Sequence, residues 1–318
     1  MSRRVQVVSG ALLMLGLVGG TAVDEAPDRP PTMRAGFQVL EADFHAHTRF
    51  SDGLLSPFDL VLQARRRGLD ALAITEHNLT FPAYMGRWFS EQIGGPTILI
   101  GEEVTTRDYH IHGVGLTERL DASQPLDSVI DEIHRQGGVA IAAHPIRRFW
   151  GSLVPARGRF DATELMHPIV FGRGQGRWSW DEMVEYYQDA RASGQMITAI
   201  GSSDYHFFSP LGVCRTLVFI EPGARDSRAE AAAIVEALKK GRTVVHDLEG
   251  GAYGDPALIE ALAREPYEMR PQEYQYRGNG LIDRITRIAG LMGLFGLILF
   301  GRGAAPSLGA GTGRDGEE

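Results

Sequence analysis

The stretch "EADFHAHTRFSDG", residues 41–53, places His45 and His47 one residue apart at the end of an apolar, alternating run and sets Asp52 in a turn-like Ser-Asp-Gly. In an extended chain residues i and i+2 point to the same side, so His45 and His47 can grip one ion. Asp52 lies past the turn and reaches a different one. "SSDYH" repeats the device, with Asp204 and His206 on one face after "MITAIG". Of ten histidines, six fall at or just after the ends of runs read as strands: His45, His47, His77, His110, His144 and His206. Carboxylates fall at the same places: Asp52, Glu76, Glu102 or Glu103, and Asp204. Carboxylates packed together without compensation repel and take up protons. Imidazole nitrogen with carboxylate oxygen suits zinc, manganese or iron. The pattern therefore predicts a divalent-metal centre. An HxH pair alone is as readily structural, and "SDG" alone is usually a turn; the set carries the reading.

The elements that must position these groups are apolar runs alternating with helix-like segments. The runs are "FQVLEADFH", "ALAIT", "TILIGEEV", "HIHGVGL", "VAIAAH", "DATELMH", "MITAIG", "TLVFIE" and "TVVH". Several are apolar almost throughout, as in parallel strands buried on both faces. "SPFDLVLQARRRG" opens a helix with Ser56 as N-cap, Pro57 at N1 and Asp59 at N3, and ends it at Gly68. "LDSVIDEIHRQGG", "SWDEMVEYYQDARASG" and "RAEAAAIVEALKKG" carry apolar residues at helical spacing and close on glycine. Alternation of strands and helices implies an α/β fold with a parallel sheet. The number of units in so short a span predicts a compact barrel, in which chemistry sits where strands end and loops begin.

Composition is that of a globular protein, with 43% hydrophobic and 23% charged residues among 318. Net charge is -8 with no long Lys/Arg run, which argues against nucleic acid as the main partner. The single cysteine, Cys214, excludes an intramolecular disulfide and reads as a small buried apolar residue. Residues 1–22 have Arg3 and Arg4 before an apolar stretch and small residues at its end, the layout of a signal peptide or N-terminal anchor; a buried first helix is the alternative. The start resembles a twin-arginine signal in part. With arginines before it and acids after it, the charge rule places the main domain outside the cytoplasm. Residues 23–36 read as a linker, 37–249 as the metallohydrolase domain and 250–280 as a connector holding one short helix. Residues 281–301 are an apolar helix, either membrane-associated or docked on the protein, and 302–318 a disordered tail.

"DFHAHTRFSDG", "ITEHN", "GEEVTT", "AAHP" and "GSSDYH", in this order, resemble the PHP (polymerase and histidinol phosphatase) superfamily over about residues 38–248. "IRRFWG", "LGVCRTLVFI" and "ALKKGRTVV" look closest to its carbaryl-hydrolase-like branch. The resemblance implies a distorted (β/α)7 TIM-like barrel with a two- or three-metal site. It implies a first metal on His45, His47, Glu103 and Asp204, a second on Glu103, His110 and His144, and a third on Asp52, His77 and His206. Glu102 competes with Glu103, and His112 with His110; the family register favours Glu103 and His110. Glu76 stands where the family often has Asp, and is read as supporting the ligands. His167 is read as structural or a substrate contact, His134 as an exposed helix residue and His246 as a rim residue.

Divalent ions lower the pKa of bound water from about 16 toward about 7 and neutralise charge on substrate oxygens. The leading expectation is a metal-dependent phosphoesterase using metal-bound hydroxide on a small-molecule ester. A carbamate or carboxylic ester hydrolase on the same site is the alternative, and a membrane-tethered metal- or ligand-binding module without turnover is the third reading. Asp204 or His206 could move a proton, although ligation is the better assignment. Arg147, Arg148 and Arg159 follow the "AHP" element and could meet a phosphate. No Ser, Cys or Gly-rich motif suggests a covalent nucleophile or nucleotide loop. The walls of the pocket are expected from the loops at residues 80–96 and 147–178.

Overall fold

All nine runs read as strands form strands, and two short ones join them in the computed structural model, which describes residues 3–23, 30–172, 179–207, 209–270 and 280–301. Within these the chain makes, in order, α1 (Arg3–Val23), β1 (Thr32–Arg34), β2 (Phe37–Asp43), α2 (Pro57–Arg66), β3 (Ala71–Ile74), α3 (Phe81–Ile93), β4 (Thr97–Thr105) and β5 (His110–Val114). There follow α4 (Leu126–Arg135), β6 (Val139–Ala142), α5 (Trp150–Ala156), β7 (Ala162–Met166), α6 (Trp180–Ala192), β8 (Thr198–Gly201) and β9 (Thr216–Ile220). The last are α7 (Ser227–Lys239), β10 (Thr243–His246), β11 (Ala252–Gly254), α8 (Pro256–Arg264) and α9 (Gly280–Gly301). Two units divide the chain: Asp28–Tyr274 holds the sheet, and the terminal segments form the other. The tail expected to be disordered, 302–318, lies outside the described residues.

The strands form one sheet in the order β11-β10-β9-β2-β3-β4-β5-β6-β7-β8, with β1 beside β2. It is nearly closed and barrel-like. The expectation of a parallel sheet needs correction. β2–β3–β4 and β6–β7–β8 are parallel, but β5 is antiparallel to both neighbours and β9 is antiparallel to β2 and β10. The cause is local: only residues 106–109 separate β4 from β5, too few for a crossover helix, so the chain returns as a hairpin. His110 thus reaches the rim from the start of its strand.

Closure between β8 and β9 uses side chains. The Thr216 hydroxyl accepts from Gly201 N (2.8 Å) and donates to Gly201 O (2.8 Å), and the Thr243 hydroxyl donates to Ala199 O (2.7 Å). Residue 201 has to be glycine, because a Cβ there would stand 3.0 Å from the carbonyls of Cys214 and Arg215. Above this seam, His47 N donates to Tyr205 O (2.9 Å), drawing the loops after β2 and β8 together.

At the opposite end, Ile234, Ala237 and Leu238 of α7 pack with Leu40, Ala71, Val114 and Val139, which lie at the strand ends away from the histidines. α2 begins as its sequence dictates, with Ser56 Oγ accepting from Asp59 N and Pro57 at the first position. α3 occupies a stretch expected as loop. Its apolar spacing is obscured by aromatic residues, and Gly94 in the left-handed region (φ 59°) ends it. Residues 265–270 are strapped to the sheet, since Glu41 accepts from Arg215 (2.5 Å), Tyr267 (3.0 Å) and the amide of Arg270 (2.9 Å).

In the terminal unit α1 and α9 pack antiparallel. A Cβ on Gly290 would stand 3.0 Å from Gly16 Cα, and one on Gly293 would stand 2.3 Å from Leu13 N. Small residues let the two backbones approach. Among the described residues no helix is long and apolar enough to cross a membrane.

The Thr216 seam yields a stability prediction. Thr216→Val keeps the shape but strands a buried amide and carbonyl of Gly201, a loss of about 1–3 kcal/mol. Its Tm should fall by several degrees in calorimetry while Thr216→Ser stays near the parent. Equal melting of the valine variant and the parent would mean the hydroxyl does not hold the seam.

Candidate metal centre

Strand ends bring the nine residues expected as ligands to one rim, where the donors form five overlapping groups that also take in His112, Glu164 and His167. The nine expected residues fall into three sets. In the first, His45 Nε2 and His47 Nε2 lie 2.8 Å apart. Asp204 Oδ1 stands 3.1 and 3.3 Å from them, and Glu103 Oε2 3.6 and 3.5 Å. In the second, Glu103 Oε1 lies 2.9 Å from His110 Nδ1 and 3.3 Å from His144 Nε2. In the third, Asp52 reaches His77 Nε2 (3.3 Å) and His206 Nε2 (3.1 Å), with His47 Nδ1 at 3.9 Å. Glu103 joins the first two groups and His47 the first and third.

Geometry sets Glu102 apart from Glu103, whereas His112 stands with His45 and Glu103 in a donor group of its own. Glu102 points out of β4 away from the histidines and accepts from Leu120 N (2.9 Å); burial pushes its carboxyl up to about 7. His112 lies deeper than His110 on the same face of β5, its ring 3.9 Å from that of His45. Glu76 touches no ligand and instead accepts from Thr48 N (2.5 Å) and from Ser51 Oγ, clamping the loop that carries Asp52. The Ser-Asp-Gly of that loop needs its glycine, because a Cβ on Gly53 would stand 2.4 Å from His47 O.

Two supporting residues, Glu164 and Asp43, escaped the sequence reading, and His167 takes a structural role. Glu164, fully buried on β7, accepts from His45 Nδ1 (2.9 Å) and from the amide of His144 (2.5 Å). It fixes the tautomer that leaves His45 Nε2 facing the centre. His144 sits at φ +24° and Asp204 at φ +41°, backbone angles that cost energy for residues with a Cβ. Asp43 offsets part of that strain at β8 by accepting from His45 N (3.2 Å), Ser203 N (3.0 Å) and Gly212 N (2.8 Å). His167 accepts from Ile169 N at Nδ1 (3.2 Å), so its Nε2 carries the proton and donates to Asp204 Oδ2 (3.1 Å). Its position two residues beyond Leu165 at a strand end was the one available sign of this role. His206 Nδ1 is likewise tied, donating to Asp204 O (2.9 Å).

The electrostatics are those of anions seeking cations. Burial would raise the Glu103 and Asp204 carboxyls, but His45 and the other imidazoles outweigh it and hold both well below the usual carboxylate range. Burial would likewise lower His45, yet Asp204, Glu164 and Glu103 raise it well above an ordinary histidine. His47, beside that charged ring, is pushed down to about 4, first by burial. His47 Nδ1 and both ring nitrogens of His112 are buried with no hydrogen-bond partner, and His77 Nδ1 lies 2.7 Å from Glu103 Oε2. Deprotonated, close-set and unbonded donor atoms of N/O type fit divalent ions.

Of the arginines expected near substrate, Arg147 is paired with Glu185 (2.7 Å) and Arg159 with Asp127 (2.8 Å) and Asp131. Arg148 lies over the Phe149 ring (5.2 Å), which stacks on His110 (4.8 Å). His134 bonds Asp161 (2.9 Å) on the flank of the sheet.

The supporting carboxylate is testable. Glu164→Gln removes the charge behind His45 and should weaken metal affinity about 10-fold or more, measured by chelator competition. Unchanged affinity would show that Glu164 only fills space.

The PHP domain family model matches residues 43–242, well over half of the chain. An uncharacterized protein of Methanocaldococcus jannaschii is 29% identical over 117 residues, covering 33% of this chain and 68% of that protein. A 5'-3' exoribonuclease of Salmonella typhimurium is 38% identical over 86 residues, covering 26% of this chain and 29% of the exoribonuclease. The chain thus spans under a third of that enzyme. A two-domain protein of Bacteroides vulgatus containing a predicted PHP-like metal-dependent phosphoesterase superposes with a TM-score of 0.57 at 22% identity, over 76% of this chain and 74% of that one. That likeness speaks for the fold. The carbaryl-hydrolase-like branch is not singled out by any of these relatives. With ordered motifs, barrel and ligand-bearing rim in agreement, this chain belongs to the PHP domain family.

Proposed function

We propose that this protein is a metal-dependent phosphoesterase acting on a small-molecule ester. One observation carries the reading: Glu103, buried and ionised, lies between two ligand groups, with a third group around Asp52 sharing His47. His45, His47, Glu103 and Asp204 would hold one ion, Glu103, His110 and His144 a second, and Asp52, His77 and His206 a third. Zinc, manganese and iron all suit these donors. Ions bound there acidify water and neutralise charge developing on substrate oxygens.

The chain's own residues hold this arrangement. Glu164 aims His45, and His167 aims Asp204. Asp204 faces His45, His47 and His167 together, which favours ligation over proton transfer. His206 has one nitrogen tied to a carbonyl and the other directed at Asp52, which favours ligation for it too. Arg148, stacked above Phe149 and His110, is the arginine best placed to meet a substrate phosphate. In the overall reaction water adds to phosphorus, the P–O ester bond breaks and the alcohol leaves with a proton.

The test is elemental analysis of the full-length protein beside a His45→Ala/His47→Ala variant, with a naphthyl phosphate assay in manganese, zinc or iron. Two or three ions per chain, lost in the variant together with turnover, is the expected result. Neither ion uptake nor turnover under any metal would overturn the assignment. Faster turnover of a naphthyl carbamate would move it to carbamate hydrolysis.

We also propose attachment to a membrane, with the Asp28–Tyr274 unit on the non-cytoplasmic side. The support is the inverted polarity of the α1–α9 pair: Ser9, Thr286 and Ala289 are buried, whereas Val7, Met14, Leu17, Ile288, Phe295 and Leu299 face outward. Arg4 at the start of α1 supplies the charge asymmetry. Full-length protein should float with phosphatidylglycerol vesicles, and its recovery in the dense fraction alone would overturn the proposal.

A further inference from the structure

The rim is apolar on one side. Among the described residues of the Asp28–Tyr274 unit, five Phe or Trp side chains are exposed; two of them lie in the loops that carry the third ligand group and a third, Phe81, opens α3 directly after the His77 loop. Phe50 (42% exposed) and Leu54 (62%) flank Asp52, each two residues from it. Phe81 (45%) follows His77 by four residues, and Phe207 (69%) directly follows His206. The Phe50 and Phe81 rings meet edge to face at 4.8 Å. Leu54 N donates to His206 O (2.9 Å), which joins the loop after β2 to the loop after β8 and makes the lip continuous. Single exposed apolar residues need no explanation, but a cluster bordering polar ligand atoms marks a binding surface. Water is a poor neighbour for these four side chains, and the loops are pinned by Glu76 and by the backbone bond at Leu54, so they cannot fold inward to hide them.

We propose that this lip is the subsite for an apolar group, an aryl ring or alkyl chain, carried by the ester whose polar head lies at the metal centre. The inference rests on the hydrolase reading and adds the substrate class to it. The occupant is argued from continuity: the lip begins at the residues beside Asp52 and His206, which belong to the third ligand group. It leaves the opposite side of the rim, with Arg148, for the charged oxygens. In the reaction the apolar group is the alcohol side of the ester. Water adds to phosphorus, the P–O bond to the alkyl or aryl oxygen breaks, and that oxygen leaves with a proton as the free alcohol. Polar phosphomonoesters would find the ligands but not the lip.

The experiment uses the full-length, metal-loaded protein and two homologous series, ethyl to octyl phosphates as substrates and ethyl to octyl phosphonates as non-hydrolysed ligands. Within a series leaving-group acidity is constant, so chain length reports the apolar contact alone. kcat/KM and phosphonate affinity should both rise with chain length, by about 10-fold or more from the shortest to the longest member. Phe50→Ser/Phe81→Ser should flatten both rises without changing metal content, while Trp88→Ser, an exposed aromatic on α3, should change neither. Flat series in the parent, or a rise that survives the double variant, would overturn the proposal. If no phosphate turns over but phosphonate affinity still rises and depends on Phe50 and Phe81, the lip stands and the hydrolase reading falls. Turnover without chain-length preference has the opposite meaning.

Discussion

A carboxylate buried in a protein stays ionised only where positive charge accompanies it. Glu103 is that carboxylate here, and much of the molecule serves it. Imidazoles arrive from the loop after β2, from the loop after β3, from the start of β5 and from the loop after β6. Asp204, Glu164 and Glu103 raise His45 well above an ordinary histidine, Glu103 raises His77 and His144 as well, and burial lowers His47 beside them. A divalent ion supplies positive charge at shorter range and lets these rings act as neutral ligands. The electrostatic demand therefore exists before any ion binds, and it is the same demand an ion satisfies.

Such a demand cannot be met by one segment of chain. The ligands come from six separate places in the sequence, and their convergence requires strands whose rim ends meet around a closed cylinder. Closure at β8–β9 is made by threonine hydroxyls, because Gly201 and the Cys214–Arg215 backbone lie too close for side chains between them. α7 fills the far end of the sheet with apolar residues, which leaves the rim end free to be polar. The strained backbone at His144 and Asp204 is held by Glu164 and Asp43, two fully buried acids that accept main-chain N–H bonds. Stability of the sheet and geometry of the ligands are thus parts of one arrangement.

Much of this was legible in the chain. The nine apolar runs, the cap on α2 and the gathering of histidines and acids at strand ends were read from local pattern, and the nine expected ligands followed from the family resemblance. The parallel sheet was not, because strand direction depends on the path between strands, and the short connection from Thr105 to His110 reverses it. α3 was missed where aromatic residues break up the helical spacing. Glu164 and Asp43 were missed because what they do depends on partners 20–160 residues away, and the structural reading of His167 gained its partner, Asp204, only in the fold.

By itself the sequence determined which residue types gather at strand ends and hence that cations belong there; spacing and chemistry suffice for that, because ligation needs nitrogen and oxygen donors in reach and little else. Only the tertiary structure decided which donors lie within reach of one another. Glu102 and Glu103 are adjacent and chemically identical, yet the pleat of β4 turns one toward Leu120 and the other toward five imidazoles. His110 and His112 share a face and both stand near Glu103, His110 at the mouth of the barrel and His112 deeper, against the His45 ring. Local pattern fixes the side of a strand on which a residue lies. Depth and partner are properties of the closed sheet, and they appear only when it forms.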